Sequence, residues 1–155
     1  MKKLVYTSCF VLLVSILFSC TTIDIFEKSV AIPGHAWKSD FRPAFEFNIT
    51  DTSTLYNIFL VLRHTEKYNF NNIYINLYVK GPGMDSTIKI QQDVSLASNE
   101  EWRGTGMDDV YELRSTLAAR QPLKAGSYTF TIEQIMREDP LLEVLNVGLR
   151  LEKEK

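Results

Sequence analysis

The residues able to do chemistry are few and scattered. His35 and His64 are the only histidines, and Cys9 and Cys20 the only cysteines. A zinc site would need both histidines plus a carboxylate, and no second ligand stands at metal spacing from either. Each is therefore expected to be a loop histidine making ordinary hydrogen bonds. There is no Gly-x-Ser-x-Gly elbow, Walker loop or dinucleotide fingerprint, and the Gly104-Thr-Gly106 pair precedes no clear helix. The densest acidic group is Asp108, Asp109 and Glu112. Such carboxylates can hold calcium, but the spacing of a calcium loop is missing, so a solvated acidic loop is expected. Nothing marks the second acid and cleft of a glycoside hydrolase. The reading is a protein that is not an enzyme and takes no metal or cofactor.

Cys20 is the exception. Lys2 and Lys3 form a short positive region, an apolar run follows to Phe18, and Ser19-Cys20 closes it. This is the layout of a secretory signal, too short and wrongly flanked for a spanning helix. Leu17-Phe18-Ser19-Cys20 resembles a bacterial lipobox, with Phe18 bulkier than usual. The chemistry requires cysteine, because its sulfur takes the diacylglycerol before cleavage frees its amine for acylation. Each buried methylene contributes about 0.8 kcal/mol, so three chains anchor stably where one is marginal. Cys9 leaves with the signal peptide, so the mature domain folds with neither disulfide nor free thiol.

What remains is binding chemistry. Trp102, Arg103, Asp108, Asp109, Tyr111, Glu112 and Arg114 crowd one segment, and Arg137 and Asp139 a second. Trp and Arg carry much of the energy at protein interfaces, so these nine residues are the candidate partner-binding set. The alternative uses loop aromatics. Trp37, Tyr68, Phe70, Trp102 and Tyr111 could stack on sugar faces, against the plainer reading that they plug the ends of the fold. The net charge is −2 over the whole chain, and −4 once Lys2 and Lys3 are removed. That balance attracts neither nucleic acid nor anionic lipid.

These residues must be held by strands. The chain divides into residues 1–19 (signal peptide), 20–28 (lipidated tether, with 21–28 reading as a short tether or a first edge strand) and 29–155 (one domain). Alternation places Phe45, Phe47 and Ile49 on one face, then Ile73, Ile75, Leu77 and Val79, then Tyr128, Phe130 and Ile132, then Val147, Leu149 and Leu151. Residues 55–63 are nearly all apolar, as in a central strand covered on both faces, and residues 44–63 read as a hairpin. Residues 87–94 return after a Gly81-Pro-Gly turn. The glycines of 102–114 argue for an irregular loop, 110–117 for strand or helical turn, and 134–138 for a helical turn ended before Pro140. The fold class is all-β, an antiparallel β-sandwich of about eight strands, with a jelly-roll-like order as the first expectation.

Several stretches together resemble the gliding-motility lipoprotein GldH family. They are Phe45-Glu-Phe-Asn-Ile-Thr-Asp-Thr with Tyr56-Asn-Ile-Phe-Leu-Val-Leu-Arg-His64; Trp102-Arg-Gly-Thr-Gly-Met-Asp-Asp-Val-Tyr-Glu112; Ala125-Gly-Ser-Tyr-Thr-Phe-Thr-Ile-Glu-Gln-Ile-Met-Arg-Glu-Asp-Pro140; and Asn146-Val-Gly-Leu-Arg-Leu-Glu-Lys153. The resemblance implies an envelope lipoprotein of Bacteroidota needed for gliding, linked to type 9 secretion, with no catalytic residues to carry over. Only the lipid-bearing cysteine transfers, onto Cys20. The expected location is the outer membrane. The periplasmic face is favoured over the cell surface, since no acidic cluster follows Cys20.

Overall fold

The computed structural model describes residues 25–99 and 101–154. The signal peptide and Cys20 lie outside the described residues, as do the first residues of the expected tether. Eight long strands build the fold: β1 (Ile25–Ala31), β3 (Ala44–Ile49), β4 (Leu55–Thr65), β5 (Asn72–Lys80), β6 (Ile88–Ser95), β10 (Val110–Pro122), β11 (Gly126–Gln134) and β13 (Val144–Lys153). Five pieces of two or three residues join them: β2 (Ala36–Trp37), β7 (Ala97–Ser98), β8 (Glu101–Trp102), β9 (Thr105–Met107) and β12 (Leu141–Leu142).

One sheet has the order β1-β13-β4-β10-β9 and the other β3-β11-β5-β6, all pairings antiparallel. Counting only the long strands, the sheets read first-eighth-third-sixth and second-seventh-fourth-fifth. That is the two-Greek-key order of a jelly roll.

The alternating residues meet between the sheets. Leu60, Leu62, Ile73, Ile75, Phe130, Ile132, Leu149 and Leu151 are fully buried. β4 lies between β13 and β10, as its apolar composition requires. On its outer face, Val61 is also buried, in register with Arg114 on one side and Gly148 on the other.

Four expectations change. β3 and β4 are not a hairpin, because β3 pairs with β11 and β4 with β10 and β13. Their turn arches from one sheet to the other, so Phe47 and Leu60 enter one core from opposite sides. The domain begins earlier than residue 29: Ile25 to Lys28 belong to β1 and pair with Glu152 to Leu149. Residues 135–140 form no helical turn, only extended and bent chain ending in a cis Asp139–Pro140 bond. Trp37, expected in a loop or edge position, is not in a loop but in the short edge strand β2, paired with β12. It is fully buried in β2 and donates its indole N–H to the Phe41 carbonyl at 2.8 Å.

Candidate functional site

The 102–114 segment is more ordered than its glycines imply. β8 pairs with β7, and β9 turns back onto β10 with Gly106 opposite Tyr111 and Thr105 opposite Glu112. Here the glycines serve close approach. A Cβ on Gly104, at φ +96°, would lie 2.2 Å from the Glu112 carbonyl oxygen, and one on Gly106 would lie 2.9 Å from the Tyr111 ring. Asp108 and Asp109 are the two central residues of the β9–β10 turn, Asp108 at φ +55°. Asp and Asn tolerate that left-handed conformation better than most residues. The Asp109 carbonyl accepts the Glu66 N–H at 2.7 Å, tying the turn to the end of β4.

Behind this hairpin lies an aromatic cluster centred on His64. Its ring is 4.6 Å from Trp102, 5.4 Å from Tyr68 and 5.9 Å from Tyr111, the last stacked at 19°. Tyr68 in turn meets Phe70 edge-on at 5.8 Å. His64 is no loop histidine: it sits in β4, fully buried. Its Nδ1 donates to the Thr65 carbonyl at 2.8 Å, and its buried Nε2 has no hydrogen-bond partner. Burial therefore holds its pKa below the ordinary value, outweighing the hydrogen bond to Thr65. Tyr68 is likewise raised by burial. The rings behave as plugs: Trp37 and Tyr68 are buried, and Phe70, Trp102 and Tyr111 are half-buried. No row of open rings is left among the five for sugar stacking.

In front of the cluster, an open depression of about 720 Å³ is lined by Arg63, Arg103, Arg114, Asp108, Asp109 and Glu112 among others. Arg103 reaches the Ser95 carbonyl at 3.3 Å, and Arg114 pairs with Glu112 at 3.1 Å. Arg63 stands 3.9 Å from the same carboxylate. The ladder then runs across the outer face: Arg114 lies 4.0 Å from Glu27, which pairs with Arg150 at 3.1 Å, and Arg150 also binds Glu152. The pairs of Arg63 and Arg114, whose side chains are about half in solvent, contribute about 0–1 kcal/mol each, so that part of the ladder adds more surface chemistry than stability.

Seven of the nine candidate residues thus share one end of the sandwich. Arg137 and Asp139 do not join them. Arg137 lines a second depression with Phe70, Tyr74 and Met136. Asp139 accepts hydrogen bonds from the Ser39 N–H at 2.9 Å and hydroxyl at 2.6 Å, which lower its pKa. No group of three His, Cys, Asp or Glu residues able to hold a metal occurs among the described residues.

Sequence reasoning missed a second polar cluster, on the outer face of the four-stranded sheet. Glu133 accepts from Asn76 at 2.9 Å and from the Tyr78 hydroxyl at 2.6 Å, and pairs with Arg42. The Tyr78 and Asn76 hydrogen bonds lower its pKa. Alternation did place Asn76, Tyr78 and Glu133 outward. Only the register of β5 against β11, with Asn76 opposite Glu133, brings them together.

Fold and site define a jelly-roll β-sandwich with a hairpin of arginines, carboxylates and half-buried aromatics at one end. The chain belongs to the GldH lipoprotein family, whose model matches residues 24–151. It is 27% identical to a gliding motility lipoprotein GldH homolog of Christiangramia forsetii, over 93% of each chain. It is 28% identical to gliding motility lipoprotein GldH of Flavobacterium johnsoniae, over 89% of this chain and 90% of that one. Among solved structures, the Cry4Aa toxin of Bacillus thuringiensis is similar over 83% of this chain and 21% of that one, at 12% identity and a TM-score of 0.38. That likeness is too distant to carry an argument.

Proposed function

We propose that this chain is a non-enzymatic lipoprotein of the bacterial envelope that acts in gliding motility. It hangs from acylated Cys20 and docks onto other envelope proteins through the β9–β10 end of the sandwich. Two relatives matched along nearly their whole length carry the gliding name, which supports the motility reading. Type 9 secretion components are the proposed partners, and the outer membrane, periplasmic face, the proposed location.

One observation carries the docking surface: its position relative to the anchor. Ile25 pairs with Glu152, which pairs with Asn57 near the start of β4. Tyr111 pairs with His64 at the other end of β4. Seven residues of strand separate these levels, about 23 Å at 3.3 Å per residue. With Ile25 nearest the proposed anchor, Trp102, Arg103, Asp108, Asp109 and Tyr111 would face away from the membrane, while Glu112 and Arg114 lead back along the outer face toward Glu27.

The test is complementation of a deletion strain with Trp102→Ala plus Arg103→Ala, scoring colony spreading and secretion. The expected result is loss of both with normal protein levels and anchoring. Full complementation by a normally folded variant would overturn the surface assignment.

A further inference from the structure

The outermost residues of β1 carry a feature that partner docking does not use. Ile25 is 46% exposed and Phe26 38% exposed, both large apolar side chains at the very tip of the strand. Ile25 lies on the outer face with Glu27, and the exposure of Phe26, on the inner face, has a topological cause. Phe26, Lys28 and Val30 share the face that packs on Leu151, Leu149 and Val147 of β13. That face points toward β3, the edge strand of the other sheet. Lys28 bridges the gap, its ammonium on the Glu46 carbonyl and 5.4 Å from the centre of the Phe47 ring. Phe26 has no such counterpart. It borders an open depression of about 430 Å³ between β1 and β3, with Ile25, Lys28 and Phe47 also in its lining. Among the described residues, Phe26 and, on the other face of the strand, Ile25 are thus left part-exposed at the tip of β1.

The length of chain beyond them says what covers them. Five Cα steps separate Cys20 from Ile25. Fully extended, they span at most about 18 Å. An acylated Cys20 sits at the headgroup level, because its chains enter the hydrocarbon. The tip of β1 is then held within about one headgroup layer and a short leash of the acyl boundary, where amphipathic segments bury their apolar residues and aromatic rings concentrate. We infer that Ile25 and Phe26 form a footing that seats in the membrane interface beside the lipid anchor, so that the sandwich stands with β4 directed away from the bilayer. The occupant of the patch is the lipid surface itself. The inference rests on the anchoring of Cys20 and adds to it a fixed orientation, which a flexible leash alone would not give.

The test uses the full acylated chain in phosphatidylethanolamine–phosphatidylglycerol vesicles. Ile25→Cys, Phe26→Cys and Met107→Cys are each made singly and spin-labelled. Met107 is 74% exposed in the β9–β10 hairpin, so it reports the far end. Collision with oxygen against a water-soluble nickel complex reads depth. Labels at 25 and 26 are expected at the headgroup–acyl boundary, and the label at 107 in water. A second variant, Ile25→Ser with Phe26→Ser, is expected to remain anchored but lose the amide-exchange protection that vesicles give the 25–28 backbone. Labels at 25 and 26 as water-accessible as that at 107, on a chain whose mass shows acylated Cys20, would overturn the footing alone. An unacylated mature chain would overturn the anchoring on which it rests.

Discussion

His64 couples the aromatic end of the fold to pH. Its folded-state pKa lies below the ordinary 6.5, chiefly through burial. The unfolded chain therefore takes up a proton that the folded chain resists. The stability due to the neutral ring is complete above pH 6.5 and is lost as pH falls from there through the lower folded value. Melting temperature should drop between pH 7 and pH 5 more steeply for the native chain than for His64→Phe; equal slopes would show that His64 does not titrate on unfolding. Asp51 behaves differently because its pKa is already down at about 2, held by the hydroxyl and N–H of Ser53 and by Lys153. It stays ionised through that window. Arg103 and Arg114 answer a separate question. Arg114 has half its side chain in solvent, so Arg103→Glu with Arg114→Glu should cost no more than about 1 kcal/mol per broken pair. Chemical denaturation would show it, and a much larger loss would make the ladder structural rather than a surface for partners.

At the scale of elements, β4 and β1 depend on different constraints. Leu60 is fully buried at the middle of the strand between β13 and β10. Leu60→Ala should cost about 2–5 kcal/mol through lost burial and the cavity left behind, measured by urea unfolding. Within its sheet β1 pairs with β13 alone among the described residues, and Gly148 is what lets it dock. A Cβ there would lie 2.6 Å from the Lys28 carbonyl and 2.8 Å from the Ser29 side chain. Gly148→Ala should therefore destabilise by about 1–3 kcal/mol and raise amide exchange in β1 before β4. Unchanged exchange in β1 would mean the edge absorbs the methyl group. The strands of the core were legible in the sequence because each buries alternate residues, as Tyr128, Phe130 and Ile132 do. The arch between β3 and β4 was not, since a polar turn reads alike whether its strands pair side by side or face each other across a core. The ordering of residues 102–114 was hidden too. Gly104 and Gly106 look like loop glycines until the backbone of β10 is placed against them. The candidate set was legible as composition, but its division into seven residues at the hairpin and two elsewhere depended on the three-dimensional path of the chain.

For the whole molecule, the jelly roll has two unlike ends. Ile25 and Phe26 lie toward one, and the depression at the β9–β10 hairpin, backed by Trp102, His64 and Tyr111, lies toward the other. Cys20→Ala should leave the domain folded and release it from membranes into the soluble fraction, and a membrane-bound Cys20→Ala chain would argue for another anchor. On the proposed reading, the anchored domain works by holding envelope proteins at its far end. The most direct measurement is a cross-linked pull-down from membranes, comparing the native chain with Arg103→Glu/Arg114→Glu, both anchored and both folded. Motility or secretion proteins recovered with the native chain and lost with the variant are the predicted result. Equal recovery from both, or no protein partner from either, would contradict it.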